Sequence, residues 1–314
     1  MESGYGSGRL WRLLSPVLFF WIISFVAQLT ATLFFLGRRW MGILREYQPF
    51  TLERAQNEII PMYMDQMTEQ VAIYLPQVIV FSSLMTLVYG VLTFRKDRSE
   101  EKEAGFSLEK MPKIWQYGLI VGLVMVASLG LNFILIMLQA AFPNLTYSQM
   151  AQSAIFAAPF WFQILGFGLI APVAEEFIFR GLIFKRYRET NSFVKSMILS
   201  SLIFGIVHSN TIQFIYATIL GLLFAYTYEK FGTLLAPILL HVVANVFPII
   251  MTNLNGFAWF FEDSFRLGAT IVLCGFLSSV LLVLLQNSQI DVKKIEDEVQ
   301  QSGLQQDESQ QEEV

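Results

Sequence analysis

The chain has 314 residues, of which 54% are hydrophobic and only 15% charged, and 29 of them are phenylalanine. A water-soluble domain cannot hide that much apolar surface, so a soluble globular fold is excluded and a membrane protein is expected. The net charge of −4 averages over segregated charges, with Asp and Glu crowded into ends and loops, so it says little about partners; no nucleic-acid partner is expected.

A hydrocarbon core about 30 Å thick takes about 20 apolar residues per helix. Eight apolar runs follow one another along the chain, at approximately 13–37, 71–94, 114–141, 153–180, 193–209, 211–229, 233–252 and 267–287. The first is longer than a signal-peptide core and ends without a small-residue cleavage site, so it reads as a retained span. Segment 38–70 holds four Arg and five acids and is expected to be a folded or amphipathic extracytoplasmic loop. The basic stretch 95–113 reads as a cytoplasmic anchor. Asn144-Leu-Thr146 is a glycosylation sequon that matters only in a host that glycosylates. The aromatic stretch 156–167 (FAAPFWFQILGF) is expected to face lipid or the interface. The fifth run is short and nearly fused to the sixth at Ser209-Asn210, which implies a tight hairpin or a broken helix. Cys274 is the one cysteine and lies in an apolar run, which leaves no disulfide framework and no cysteine-based metal site.

Charge fixes the expected orientation, because cytoplasmic loops carry excess Lys and Arg. With the N-terminus inside, 15 of the 21 Lys and Arg fall on the cytoplasmic side, and only Arg38, Arg39, Arg45, Arg54 and Arg266 fall outside. The predicted fold is therefore all-α: a polytopic transmembrane helical bundle of about eight spans in the cell membrane, N-in and C-in. Residues 1–150 hold spans 1–3 with loop 38–70, residues 151–255 hold spans 4–7, and residues 256–290 hold the last span. Residues 291–314 are acidic and Gln-rich, and are expected to be a disordered cytoplasmic tail.

Ionisable residues inside a span cost at least about 2.5–3.5 kcal/mol and point to function by default. Three such clusters stand out: Glu175-Glu176 with Arg180 in the fourth run, Phe204 with His208 in the fifth, and His241 with Asn245 in the seventh. Glu176 and Arg180 are four apart and can pair on one face, whereas Glu175 points about 100° away. Counting from the nearest cytoplasmic charge, Glu175 lies roughly 15 Å deep, His208 roughly 20 Å, His241 roughly 16 Å and Asn245 roughly 22 Å. Four polar groups from three helices can meet at one level. Pro172 and Pro248 each lie three residues from a cluster and can free main-chain carbonyls there.

Both histidines of the chain fall in these clusters. A His and a partly desolvated Glu are suited to exchanging protons near neutral pH, so Glu175 with a His can activate water. His241 and Asn245 can donate hydrogen bonds to the oxyanion formed when water attacks a peptide carbonyl.

At these residues the sequence resembles the CPBP family of CAAX prenyl endopeptidases and bacteriocin-processing or Abi-type membrane proteases. The motifs are EEFIFR (175–180), FGIVH (204–208) and HVVAN (241–245), in the family's order and with similar spacing, within roughly residues 155–250. The resemblance implies an intramembrane endopeptidase acting on a membrane-associated peptide or protein. It assigns water activation to Glu175 and His208, the oxyanion site to His241 and Asn245, and support of the architecture to Glu176 and Arg180. Glu175, His208 and His241 could also supply a zinc site, but no His-Glu-x-x-His helix is present and the same residues suffice for a metal-free glutamate mechanism. The competing readings are a non-catalytic bacteriocin-immunity or scaffold protein and a proton-coupled transporter. The lack of internal repeats counts against the transporter. Membrane lipids are the expected surroundings, and the sequence gives no oligomeric state.

Overall fold

The computed structural model describes residues 3–46, 51–103, 108–142, 155–208 and 210–294. Asn144 and the stretch beyond residue 294 lie outside them. The principal helices are α1 (Ser3–Glu46), α2 (Ile60–Glu103), α3 (Ile114–Ala141), α4 (Phe160–Arg188), α5 (Phe193–Ile206), α6 (Thr211–Phe231), α7 (Leu235–Asn253) and α8 (Ser264–Asn287). Strands β1 (Leu108–Met111) and β2 (Asp291–Lys294) form an antiparallel ribbon, with Met111 opposite Asp291. Helices suit lipid because they satisfy their own backbone hydrogen bonds, and seven of these eight are long and apolar enough to cross a membrane. Their outward faces carry exposed Phe25, Leu33, Leu92, Val272 and Phe276. The chain is thus a multi-pass helical membrane protein.

Two expectations change and a third gains detail. The fifth run is not a full span: α5 has 14 residues, about 21 Å of helix against a core of about 30 Å. At the turn that follows, the His208 N–H donates to the Gly205 carbonyl and the Asn210 side chain caps α6 by accepting from the Gln213 N–H. Segment 38–70, expected to be folded or amphipathic, is mainly helical in its described residues: α1 continues to Glu46, and α2 is entered through a cap at Thr51 and a π-helical turn, Ala55–Ile59. Finally, 291–294 is a strand, since β1 offers it a pairing edge that composition does not reveal.

Most ion pairs outside the buried site gather at one end of the bundle. Arg186 grips Asp97 with two bonds, Nε–Oδ2 at 2.7 Å and Nη2–Oδ1 at 3.1 Å, and its Nη1 donates to the Arg12 carbonyl. Arg12 pairs with Glu189 at 2.8 Å, Lys185 with Glu101 at 2.5 Å, Arg188 with Glu229 at 3.0 Å and Lys113 with Asp291 at 3.4 Å. The first turns of α1, the end of α2, the end of α4, the end of α6 and the ribbon therefore share one side. Helix direction alternates down the chain accordingly, with α5 and α6 forming a short hairpin. Inside, Ile120, Phe179, Leu182, Phe204, Leu220, Phe224 and Leu240 belong to one core cluster that surrounds the polar site.

Candidate active site

The site is built on α4, whose middle is irregular for a traceable reason. Gln163–Ile170 is π-helical, and the Ala171 N–H reaches back five residues to the Gly166 carbonyl. The next nitrogen in that pattern belongs to Pro172, which has no hydrogen to donate, so the Phe167 carbonyl is left over. Asn245 Nδ2 of α7 donates to it at 3.0 Å. A second π-helical stretch, Phe177–Phe184, follows the two glutamates. Such stretches are rare and frequent at functional sites.

Between the two stretches, the glutamates diverge as their helical spacing requires. Glu176 and Arg180 are fully buried, and Arg180 Nη1 donates to Glu176 Oε1 at 2.9 Å. Arg180 Nη2 donates to the Gly221 carbonyl of α6 at 3.1 Å. Gly221 permits that approach: a Cβ there would lie 3.2 Å from Arg180 Nη2 and 3.1 Å from Ser201 Cβ. The guanidinium also sits over the Phe204 and Phe224 rings, 4.5 and 5.1 Å from their centroids. A buried cation is tolerated only with this many partners.

His241 joins the two carboxylates. Its Nδ1 donates to Glu176 Oε1 at 2.8 Å, while its Nε2 lies 3.6 Å from Glu175 Oε2. The imidazole stacks on Phe224 at 4.9 Å and meets Phe204 edge-on at 5.5 Å. His208 stands edge-on to the same Phe204 at 4.9 Å, and its Nδ1 donates to the Phe204 carbonyl at 2.8 Å, so that in a neutral ring Nε2 is the nitrogen that carries the lone pair. Among these carboxylates only Glu175 keeps access, with its side chain 21% exposed against 0% for Glu176.

Glu175, Glu176, Arg180 and His241 are thus in direct contact, His208 joins through Phe204, and Asn245 joins through the freed carbonyl of α4. The Glu176–His241 bond was not legible in the motif spacing, which suggested only a Glu176–Arg180 pair. Phe224 and Gly221 also escape the motifs, although both lie on the buried face of α6 with Leu220 and Ala217. Among the described residues no group of three His, Cys, Asp or Glu side chains is placed to hold a metal ion. The set Glu175, His208 and His241 is therefore not gathered as ligands here.

A bundle of apolar spans enclosing paired carboxylates and an imidazole defines a polytopic membrane protein with a buried polar site. Residues 157–247, which contain all of these groups, match the family model described as Type II CAAX prenyl endopeptidase Rce1-like. A Bacillus subtilis (strain 168) protein named "Putative membrane peptidase YdiL" is 36% identical over 83 residues, 26% of this chain and 34% of the relative. The match thus spans about a third of that relative's length. No solved structure matches the chain.

Proposed function

We propose that the protein is an intramembrane endopeptidase that hydrolyses a peptide bond of a membrane-associated protein or peptide. The observation that carries this reading is the division of labour between adjacent glutamates: Glu175 is accessible beside His241, and Glu176 is sealed behind it against Arg180. In this reading Glu175 and Nε2 of His208 take a proton from water as its oxygen attacks the peptide carbonyl. Asn245 has a second amide hydrogen beyond the one given to Phe167, and with the Nε2–H of His241 it donates to the resulting oxyanion. The abstracted proton passes to the leaving nitrogen, the C–N bond breaks, and a carboxylate and an amine result. Because Nδ1 of His241 already donates to Glu176, the oxyanion role requires both ring nitrogens to carry hydrogen. The acids on either side compensate that charge. No step passes through a metal.

The substrate class follows the family resemblance, so prenylated C-terminal peptides are the first to try. The test is cleavage of a fluorogenic peptide panel, with and without a C-terminal prenyl-cysteine, by detergent-purified protein beside Glu175→Ala and His208→Ala, each with and without a zinc chelator. Cleavage abolished in both variants and indifferent to the chelator is expected. Failure of folded wild type to cut any peptide would overturn the proposal in favour of a binding or immunity role.

A further inference from the structure

A second built site lies at the charged end, at the opposite end of α5 from His208. A pocket of about 400 Å³ is lined by Lys110, Phe193, Tyr226, Glu229, Lys230 and Ile290. The neighbouring cations Arg188 and Lys113 are paired with acids, Arg188 with the Glu229 carboxylate itself. Lys110 and Lys230 differ from them. Lys110 Nζ donates to the Glu229 carbonyl at 2.5 Å, and Lys230 Nζ donates to the carbonyls of Ser288 at 2.8 Å and Gln286 at 3.3 Å. Neither is paired with a carboxylate among the described residues. Main-chain carbonyls thus hold two positive charges on one pocket while each ammonium keeps donors to spare.

The walls and surroundings narrow the ligand. Phe193 and Tyr226 contact each other at 6.5 Å, as aromatic residues at a membrane interface would. From there toward the bilayer centre the outer face of the hairpin is apolar and exposed: Val194, Ile198 and Leu202 recur at four-residue spacing on α5, with Ile219 two turns before Tyr226 on α6. Only an amphiphile meets both surfaces.

We propose that this pocket binds the headgroup phosphate of one anionic phospholipid, whose acyl chains lie along the α5–α6 face. Occupancy would brace the hairpin that carries His208.

The test is native mass spectrometry of the full chain in mild detergent with phosphatidylglycerol or phosphatidylcholine of matched chains. Wild type should retain one phosphatidylglycerol in preference to phosphatidylcholine. Lys110→Gln with Lys230→Gln should lose that preference by about 30-fold, from about 1 kcal/mol per interfacial lysine. The matched Arg pair should keep it, and Lys96→Gln, an exposed lysine at the same end, should leave it unchanged. Equal retention of the two lipids, or full retention by a folded double Gln variant, overturns the proposal. So does complete displacement by inorganic phosphate, which would mark a simple anion site. Stronger lipid retention after the acids of 295–314 are replaced by amides would instead name the chain's own tail as the occupant, and would also overturn it.

Discussion

At the scale of single residues, the site depends on a few side chains that each serve two partners. Glu176 Oε1 accepts from both Arg180 and His241, so removing Arg180 strands a buried carboxylate and loosens the imidazole. Breaking one side of a buried pair costs about 3–5 kcal/mol. Arg180→Met should therefore lower the melting temperature sharply, whereas Glu175→Gln, at a partly exposed carboxylate, should leave it nearly unchanged; thermal unfolding in one detergent separates the two. Asn245 is the other double-duty residue. Asn245→Ala abandons the Phe167 carbonyl, at about 1–3 kcal/mol for an unsatisfied buried acceptor, and should slow hydrolysis more than it weakens peptide binding. A variant with raised KM and unchanged kcat would contradict the oxyanion role. The residue types of this site were legible in the sequence because ionisable groups are rare in spans. Their pairing was not, because a four-residue spacing identifies the partner on the same helix and says nothing about a histidine 65 positions away.

At the scale of elements, the α5–α6 hairpin sets where His208 sits. The two helices approach at glycines: a Cβ on Gly205 would lie 2.9 Å from the Phe214 carbonyl, and one on Gly221 would press on Ser201 and Arg180. Overpacking of this kind costs typically about 1–3 kcal/mol. Gly205→Ala and Gly221→Ala should both lower stability and reduce hydrolysis by at least about tenfold, although neither touches substrate. Normal rates in both variants would show that the hairpin spacing does not matter to the site. The break between these helices could be seen in the sequence as a near-fusion at Ser209-Asn210. The fifth run was also visibly short, but the end of α5 at Ile206 could not be seen, since the apolar run continues through Val207 and only the backbone reveals where the helix stops. The π-helical stretches of α4 were likewise hidden, except for the hint of Pro172.

At the scale of the whole molecule, the ion pairs and the β1–β2 ribbon bring the first turns of α1 and the end of α8 to one side. From the distribution of Lys and Arg, that side is predicted to face the cytoplasm. Cysteines introduced at Leu10 and Asp291 should react with an impermeant thiol reagent from the same side, and one at Asn255, in the α7–α8 connection, from the other. The native Cys274 is buried and should stay silent. Labelling of Leu10 and Asp291 from opposite faces would overturn the topology. Charge counting anticipated that the first turns of α1 and the end of α8 share one side, because loops obey a simple statistical bias, whereas the ribbon joining 108–111 to 291–294 lies far beyond the reach of any local pattern.

The most direct measurement is the rate of peptide-bond hydrolysis by Glu175→Gln beside wild type, in the same detergent and with the same peptide, after equal melting temperatures have been verified. A fall of at least about 100-fold is predicted if Glu175 activates water. Hydrolysis at the wild-type rate by the folded variant would contradict the assignment of the reaction to this carboxylate.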